Sequence, residues 1–179
     1  TVTQSFLNEI IRNYKDENSS SFDPNTINIH AKIPIHVHIV MNIKGLAGVN
    51  QENLSNSAGT ANDYFKNAGI QFFIDSIDYI NDHNYSFITF NNLKKELLTK
   101  YAIDNRINLF LVDSIKMGSI KSYGFTYFPD EADSNFIYLD KNYLSGNSLT
   151  TMLGHFMGLL STHETWGGRE LASGKNCTN

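Results

Sequence analysis

The sequence predicts an α/β fold, in which helices pack on a twisted mixed sheet of about five strands. Segments with strand-type alternation and segments with helical spacing follow one another as strand, helix, strand, helix, strand. A later segment, INLFLVDSI, is a nearly continuous apolar run, as expected for a strand covered on both faces. The chain has 179 residues, of which 41% are hydrophobic and 18% charged, and this composition suits one compact core.

The first elements follow from local patterns. Residues 33–41, IPIHVHIVM, alternate with period two and are rich in β-branched residues, which predicts a strand. In the helix that follows, apolar residues recur every three or four positions, Asn50 or Asn53 provides the N-cap and Gly69 ends the helix. The segment IQFFIDSIDYI predicts a second strand, and NNLKKELLTKYAI predicts a second helix.

The remaining chain predicts two extended segments and a final helix. SYGFTYFP and NFIYLD are aromatic-rich strands, and apolar residues then repeat helically over residues 148–160. Residues 1–22 predict a short helix followed by a polar linker, and the tail from Thr165 has the composition of a loop. We therefore expect residues 1–30 to be an N-terminal helix and linker, and residues 31–179 to be the folded part.

Composition excludes several classes of function. The net charge is −4, and basic residues are not concentrated into a stripe that could neutralise phosphates, so no nucleic-acid partner is expected. No run approaches the ~20 apolar residues of a membrane helix, so no membrane span is expected. The sequence shows no phosphate-binding glycine loop and no dinucleotide fingerprint. The single Cys177 is either a free thiol or half of a bridge whose other half lies outside this chain.

The segment SLTTMLGHFMGLLSTHE carries the most specific signal. It resembles, without a gap, the active-site helix of the pappalysin family of metzincin zinc metallopeptidases, whose H-E-x-x-H-x-x-G-x-x-H pattern supplies three histidine ligands and a general-base glutamate. Eight positions agree with that family's pattern: Leu149, Gly154, His155, Phe156, Gly158, Leu159, Thr162 and Glu164. The resemblance covers about residues 30–177 and implies a metzincin N-terminal subdomain with a truncated C-terminal subdomain. It also implies that Cys177 is the first cysteine of that family's later segment.

In this register the zinc chemistry is lost. Thr151 stands at the first histidine position and Ser161 at the third, which leaves His155 as a weak candidate metal ligand. One imidazole and two hydroxyl groups would hold zinc poorly. Met152 stands at the position of the general base, and a thioether cannot accept a proton from water. We therefore expect no intact catalytic group and no cofactor, with zinc weakly bound or lost at this helix.

Two functions remain open. The first is a non-catalytic or severely impaired protein of zinc metallopeptidase fold that binds extended polypeptide, or a folded protein, along its sheet edge. The resemblance places the substrate-pairing strand at five residues: Tyr123, Gly124, Phe125, Thr126 and Tyr127. The alternative is an active zinc-dependent endopeptidase that uses unusual ligands or residues beyond the C-terminus, so whether the protein is an enzyme stays open. Family membership would imply a secreted or periplasmic location.

Three other groups of residues have ordinary structural explanations. His163 lies eight residues after His155, about 12 Å along a straight helix, so a loop histidine is favoured over a third ligand. His36 and His38 share one face of the first strand, but no carboxylate or cysteine in that strand completes a metal set, so packing on the sheet is favoured. The acidic segment FPDEADSNF lacks the spacing of a helix–loop–helix calcium site, which favours a solvated loop over a calcium ion.

Overall fold

The computed structural model describes residues 29, 31–89, 95–127 and 135–160 of the chain. Within these ranges the strands are β1 (Ala31–Val40), β2 (Ile70–Ile80), β3 (Phe87–Thr89), β4 (Ile107–Val112), β5 (Ser114–Met117), β6 (Ile120–Ser122), β7 (Gly124–Thr126) and β8 (Phe136–Asp140). The helices are α1 (Gln51–Phe65), α2 (Lys95–Tyr101) and α3 (Ser148–Phe156). The predicted α/β class is confirmed.

The main sheet has five strands in the order β2-β1-β4-β8-β7. Neighbouring strands are parallel from β2 to β8, whereas β7 runs antiparallel to β8, so the sheet is mixed as predicted. Every residue of β4 and β8 is buried, which confirms that the apolar run beginning at Ile107 is covered on both faces. The strands β2 and β7 form the two edges of this sheet among the described residues.

Each face of the main sheet carries its own apolar core. On one face, residues such as Ile35 and Val37 of β1 pack with Leu54 of α1 and Leu153 of α3. On the opposite face, Val40, Phe110 and Tyr138 of the sheet pack with Leu97 of α2 and with buried residues of β3 and β5. This division follows from the period-two alternation of the strands, which sends successive side chains to opposite faces.

A second sheet, with strand order β3-β5-β6, was not predicted. The sequence indicated one strand through INLFLVDSI, but the ladder breaks at Asp113 and the chain continues as β5 in the second sheet. The backbone N–H groups of Asp113 and Ser114 both bind the Ser86 carbonyl, which lies just before β3. Polar groups at the break are thus satisfied by a chain segment that is distant in sequence, and local pattern cannot reveal such a partner.

The helix ends have clear causes. Asn50 caps α1, because its side chain accepts the Glu52 N–H at 2.8 Å, so Asn50 rather than Asn53 is the N-cap. The last helix ends at Phe156, four residues earlier than predicted. Gly158 adopts a left-handed φ of 90°, and the Leu159 N–H binds the Gly154 carbonyl at 2.9 Å, as in a Schellman motif.

Several predictions fall outside the described residues. These are the N-terminal helix over residues 1–22, the acidic segment FPDEADSNF for the most part, and the residues Ser161, His163 and Cys177. The proposed division at residue 30 likewise stays a prediction. In the described part of the chain, no helix has the length and apolar character that crossing a membrane would require.

Candidate functional site

The helix α3 contains three of the four residues that the sequence resemblance aligns with metzincin zinc-site positions. Thr151 donates its hydroxyl hydrogen to the Asn147 carbonyl one turn back, at 3.1 Å. Its oxygen is therefore engaged with the backbone of its own helix, as its sequence position predicts. Met152 is only 5% exposed, so the position of the general base lies in the apolar core. Both side chains are held as ordinary structural residues.

Met152 closes the space between α3 and β7. A Cβ atom added to Gly124 of β7 would come within 2.6 Å of Met152 Sδ and 2.8 Å of its Cγ. Any larger residue at this point of the strand would require Met152 to move, because the thioether occupies the volume that a Cβ atom would need. Met152 and the predicted substrate strand are therefore in direct contact, and that contact is apolar.

His155, the remaining candidate ligand, makes a hydrogen bond to the backbone just beyond the end of α3. Its Nδ1 lies 2.8 Å from the Leu159 carbonyl oxygen and donates its hydrogen there. The Schellman turn at Gly158 brings that carbonyl back over the last helical turn. Among the described residues, the groups of three or more His, Cys, Asp or Glu side chains close enough to hold a metal ion do not include His155.

The predicted substrate strand lies at an edge of the main sheet. Strand β7 pairs with β8 on one side, Phe125 being opposite Tyr138, and no described strand pairs with its other side. The aromatic rings of Phe125 and Tyr127 are partly buried and meet edge to face, with centroids 5.0 Å apart. These rings lie on the face that carries α2, and Gly124 faces α3.

A cluster of polar side chains lies on β1 and β2, near the edge of the main sheet that is opposite β7. His36 and His38 are 7% and 1% exposed, and parallel pairing sets Ser76 and Asp78 of β2 beside them. The His36 ring is bonded at both nitrogens, with Ser76 Oγ 2.7 Å from Nδ1 and Asp78 Oδ2 2.7 Å from Nε2. The rings of the two histidines stack with centroids 4.5 Å apart. The two histidines pack on the face of the sheet, as predicted, but β2 adds the carboxylate that the first strand lacks, so the choice between packing and a metal site stays open.

Sequence reasoning missed Asp78 as a member of this cluster. His36 and Asp78 are 42 residues apart, and only the register of two parallel strands joins them. A signal did exist, because Ser76 and Asp78 are polar residues at i and i+2 in the segment IQFFIDSIDYI and therefore lie on one face of the strand. Two polar pairs with the same period on adjacent strands point to one shared polar face.

His38 is held deep in the cluster between an aromatic ring and an amide. It stacks on Phe110 with centroids 4.4 Å apart, and its Nε2 lies 3.1 Å from Asn108 Oδ1. Burial is the main cause that lowers the pKa of His38 below its ordinary value, and the nearby His36 adds to this effect. The His38 ring is therefore neutral at neutral pH.

An ion pair supports the exposed side of the cluster. Arg106 Nε donates to Asp75 Oδ2 at 2.6 Å, and this bond holds the pKa of the Asp75 carboxyl below its usual range. Asp75 is the extra residue of a bulge in β2, since the register with β1 shifts between Ile35 and His36. The bulge places Ser76 directly opposite His36.

No protein-family model matches the chain, and no curated protein matches it. Among solved structures, the chain is similar to metalloproteinase-II from Bacteroides fragilis, with a TM-score of 0.44 and 12% sequence identity over 84% of this chain. The match covers 49% of that protein, so the chain spans about half of its length. At this level of similarity no residue role passes from one protein to the other, and the pappalysin resemblance stays a prediction from sequence.

Proposed function

We propose that this chain is a non-catalytic protein of zinc metallopeptidase fold that binds extended polypeptide along the outer side of β7. The observation that carries the proposal is the place of β7 at the end of the sheet order, with β8 on one side and no described strand on the other. An edge strand presents backbone N–H and C=O groups, and an extended peptide can add to it as a further strand. This mode of binding requires no metal ion.

The backbone groups that face outward follow from the pairing with β8. The Asp140 N–H donates to the Tyr123 carbonyl at 2.9 Å, so residue 123 belongs to a hydrogen-bonded pair. Bonded and non-bonded pairs alternate along an antiparallel ladder, which directs the N–H and C=O groups of Gly124 and Thr126 away from β8. The Gly124 carbonyl already accepts the Ser122 hydroxyl at 2.7 Å. We therefore expect Thr126 to provide the main backbone contact.

The environment of α3 supports the non-catalytic part of the proposal. A metal-activated water needs several protein ligands and a base, whereas Thr151 is bonded to its own helix and Met152 fills the core beside Gly124. The Nδ1 of His155 is engaged with the Leu159 carbonyl oxygen at 2.8 Å. We also propose a secreted or periplasmic location, on the sequence resemblance alone, and cell fractionation tests this.

A peptide titration with two variants tests the binding surface. The probe is a fluorescein-labelled peptide of about ten residues with alternating valine and threonine, a length that suits a strand. Ordering the peptide opposes binding, so we expect a Kd on the order of 10 µM or weaker by fluorescence anisotropy. Thr126→Pro should abolish binding, because it removes an N–H that faces outward and would bond the peptide. The bonds between β7 and β8 do not use this N–H, so the strand itself should stay in place.

The matched control is Thr126→Ala. Thr126 Oγ1 also donates to the Phe136 carbonyl at 2.7 Å, and alanine removes this bond while it keeps the outward N–H. Thr126→Ala should therefore bind the peptide as the parent does. Equal binding by Thr126→Pro and the parent, with both folded by circular dichroism, would show that the peptide does not add to β7.

A further inference from the structure

The polar cluster on β1 and β2 has the composition of a metal site. One ring nitrogen each of His36 and His38 and a carboxylate oxygen of Asp78 lie within 4.8 Å of one another. Both histidines are on the face of the sheet opposite α3, since their neighbours Val37 and Ile39 pack in the core that contains α3. The cluster is therefore separate from the helix that resembles a zinc-binding helix.

The hydrogen bonds of Asn108 assign the tautomer of His38. Asn108 Oδ1 accepts the Ile103 N–H at 2.8 Å, and its Nδ2 donates to the Ile103 carbonyl at 3.0 Å, so the amide can take only one orientation. The His38 Nε2 that faces Oδ1 must then be a donor. The lone pair of the neutral ring is left on Nδ1, which is buried and has no hydrogen-bond partner among the described residues. A buried acceptor without a partner is unfavourable, and a bound cation would satisfy it.

His36 can present the lone pair of its Nε2 to a cation, as His38 can present the lone pair of its Nδ1. When Nδ1 donates to Ser76 Oγ, the lone pair of Nε2 and the Asp78 carboxylate face each other at 2.7 Å. Two lone pairs at this distance repel unless a proton or a metal ion lies between them. Ser76 in turn reaches Asp75 at 3.5 Å, and Arg106 holds that carboxylate. Both imidazoles thus have a partner for the ring nitrogen that would not bind metal, as metal-binding histidines usually do.

We propose that His36, His38 and Asp78 bind one divalent transition-metal ion, with zinc as the best match to two imidazole nitrogens and one carboxylate oxygen. Tetrahedral zinc with bonds of about 2.0–2.1 Å separates its ligand atoms by about 3.3 Å, and the ligand atoms of these three side chains lie within 4.8 Å of one another. The Asp78 side chain is 59% exposed and provides access from solvent. Three protein ligands leave a fourth position for water or a further ligand.

Titration of the full chain with zinc, in competition with a chromophoric chelator, tests the site. We expect one zinc ion per chain. Asp78→Asn should weaken binding more than about 100-fold, because it removes a ligand, and Ser76→Ala should weaken it about 10–100-fold through His36. Asp63→Asn, an exposed carboxylate change on α1, and His155→Ala should leave the affinity unchanged.

Imidazole NMR gives a second readout that requires no variant. Long-range proton–nitrogen spectra should show the hydrogen of His38 on Nε2 in the metal-free protein, and zinc should shift the resonance of Nδ1. Zinc binding that is lost in His155→Ala but kept in Asp78→Asn would overturn the proposal. The proposal is also wrong if a stoichiometric amount of zinc leaves the nitrogen resonances of His36 and His38 unchanged.

Discussion

Replacement of Gly124 by alanine tests the packing of Met152 between α3 and β7. The added methyl group would lie 2.6 Å from Met152 Sδ, 2.8 Å from its Cγ and 3.2 Å from the Tyr138 carbonyl oxygen. Met152 is 5% exposed, so its side chain cannot move into solvent without leaving the core. Overpacking of this kind costs about 1–3 kcal/mol, and we expect the free energy of unfolding to fall by that amount.

A double-mutant cycle assigns this loss to the contact itself. Met152→Ala alone removes a buried side chain and should cost about 2–5 kcal/mol. It also removes the atoms that the methyl group at position 124 would meet. The Gly124→Ala/Met152→Ala variant should therefore be about 1–3 kcal/mol more stable than the sum of the two single changes predicts.

Urea unfolding followed by circular dichroism measures these differences, provided that the slope m stays constant across the variants. The matched control is Gly59→Ala, because Gly59 lies in α1 and a Cβ there would meet nothing within 4 Å. That change should raise stability by up to about 1 kcal/mol through helix propensity. If Gly124→Ala were as stabilising as Gly59→Ala, Met152 would not fill the space beneath β7, and our description of a packed site would be wrong.

Two further predictions concern zinc and pH. The first introduces the metzincin ligand and base residues by three changes: Thr151→His, Met152→Glu and Ser161→His. This variant should gain zinc affinity that depends on His155, measured by chelator competition in an Asp78→Asn background. It should show little peptidase activity, because the three changes do not add the contacts that orient metal ligands. No gain in zinc affinity would mean that the helix register is wrong. The second concerns His38 in metal-free protein. The pKa of His38 in the folded protein is below the value of about 6.5 in the unfolded chain. As the pH decreases through 6.5, the unfolded chain is therefore protonated before the folded protein is, and the free energy of unfolding should fall. Urea midpoints that do not change across this pH range would contradict it.

The predictable part of the fold depends on local patterns. The apolar run beginning at Ile107 and the spacing around Leu54 predicted a central strand and a helix, and both are present. The break at Asp113 and the second sheet were not predictable in the same way, because they depend on a bond to Ser86. Patterns within one segment predict which face is buried, but they do not identify the segment that covers it.

The candidate sites show the same limit. Thr151 bonds to the carbonyl one turn back and Met152 lies in the core, and both environments follow from the side-chain type and its place on an amphipathic helix. The cluster around His36 needed the register of β1 against β2 and a bulge at Asp75, which set the partners of each histidine. Strand register depends on the packing of the whole sheet, so a single sequence does not reveal it.

Amide hydrogen exchange across residues 123–127 is the most direct test of peptide binding at β7. The Phe125 N–H belongs to a hydrogen-bonded pair with β8 and serves as an internal reference, whereas the Thr126 N–H faces outward. With a Kd of about 10 µM, peptide at about 1 mM should slow exchange at Thr126 about 100-fold and affect Phe125 little. Exchange at Thr126 that is unchanged by the peptide would contradict the proposed function and leave β7 as a structural edge strand only.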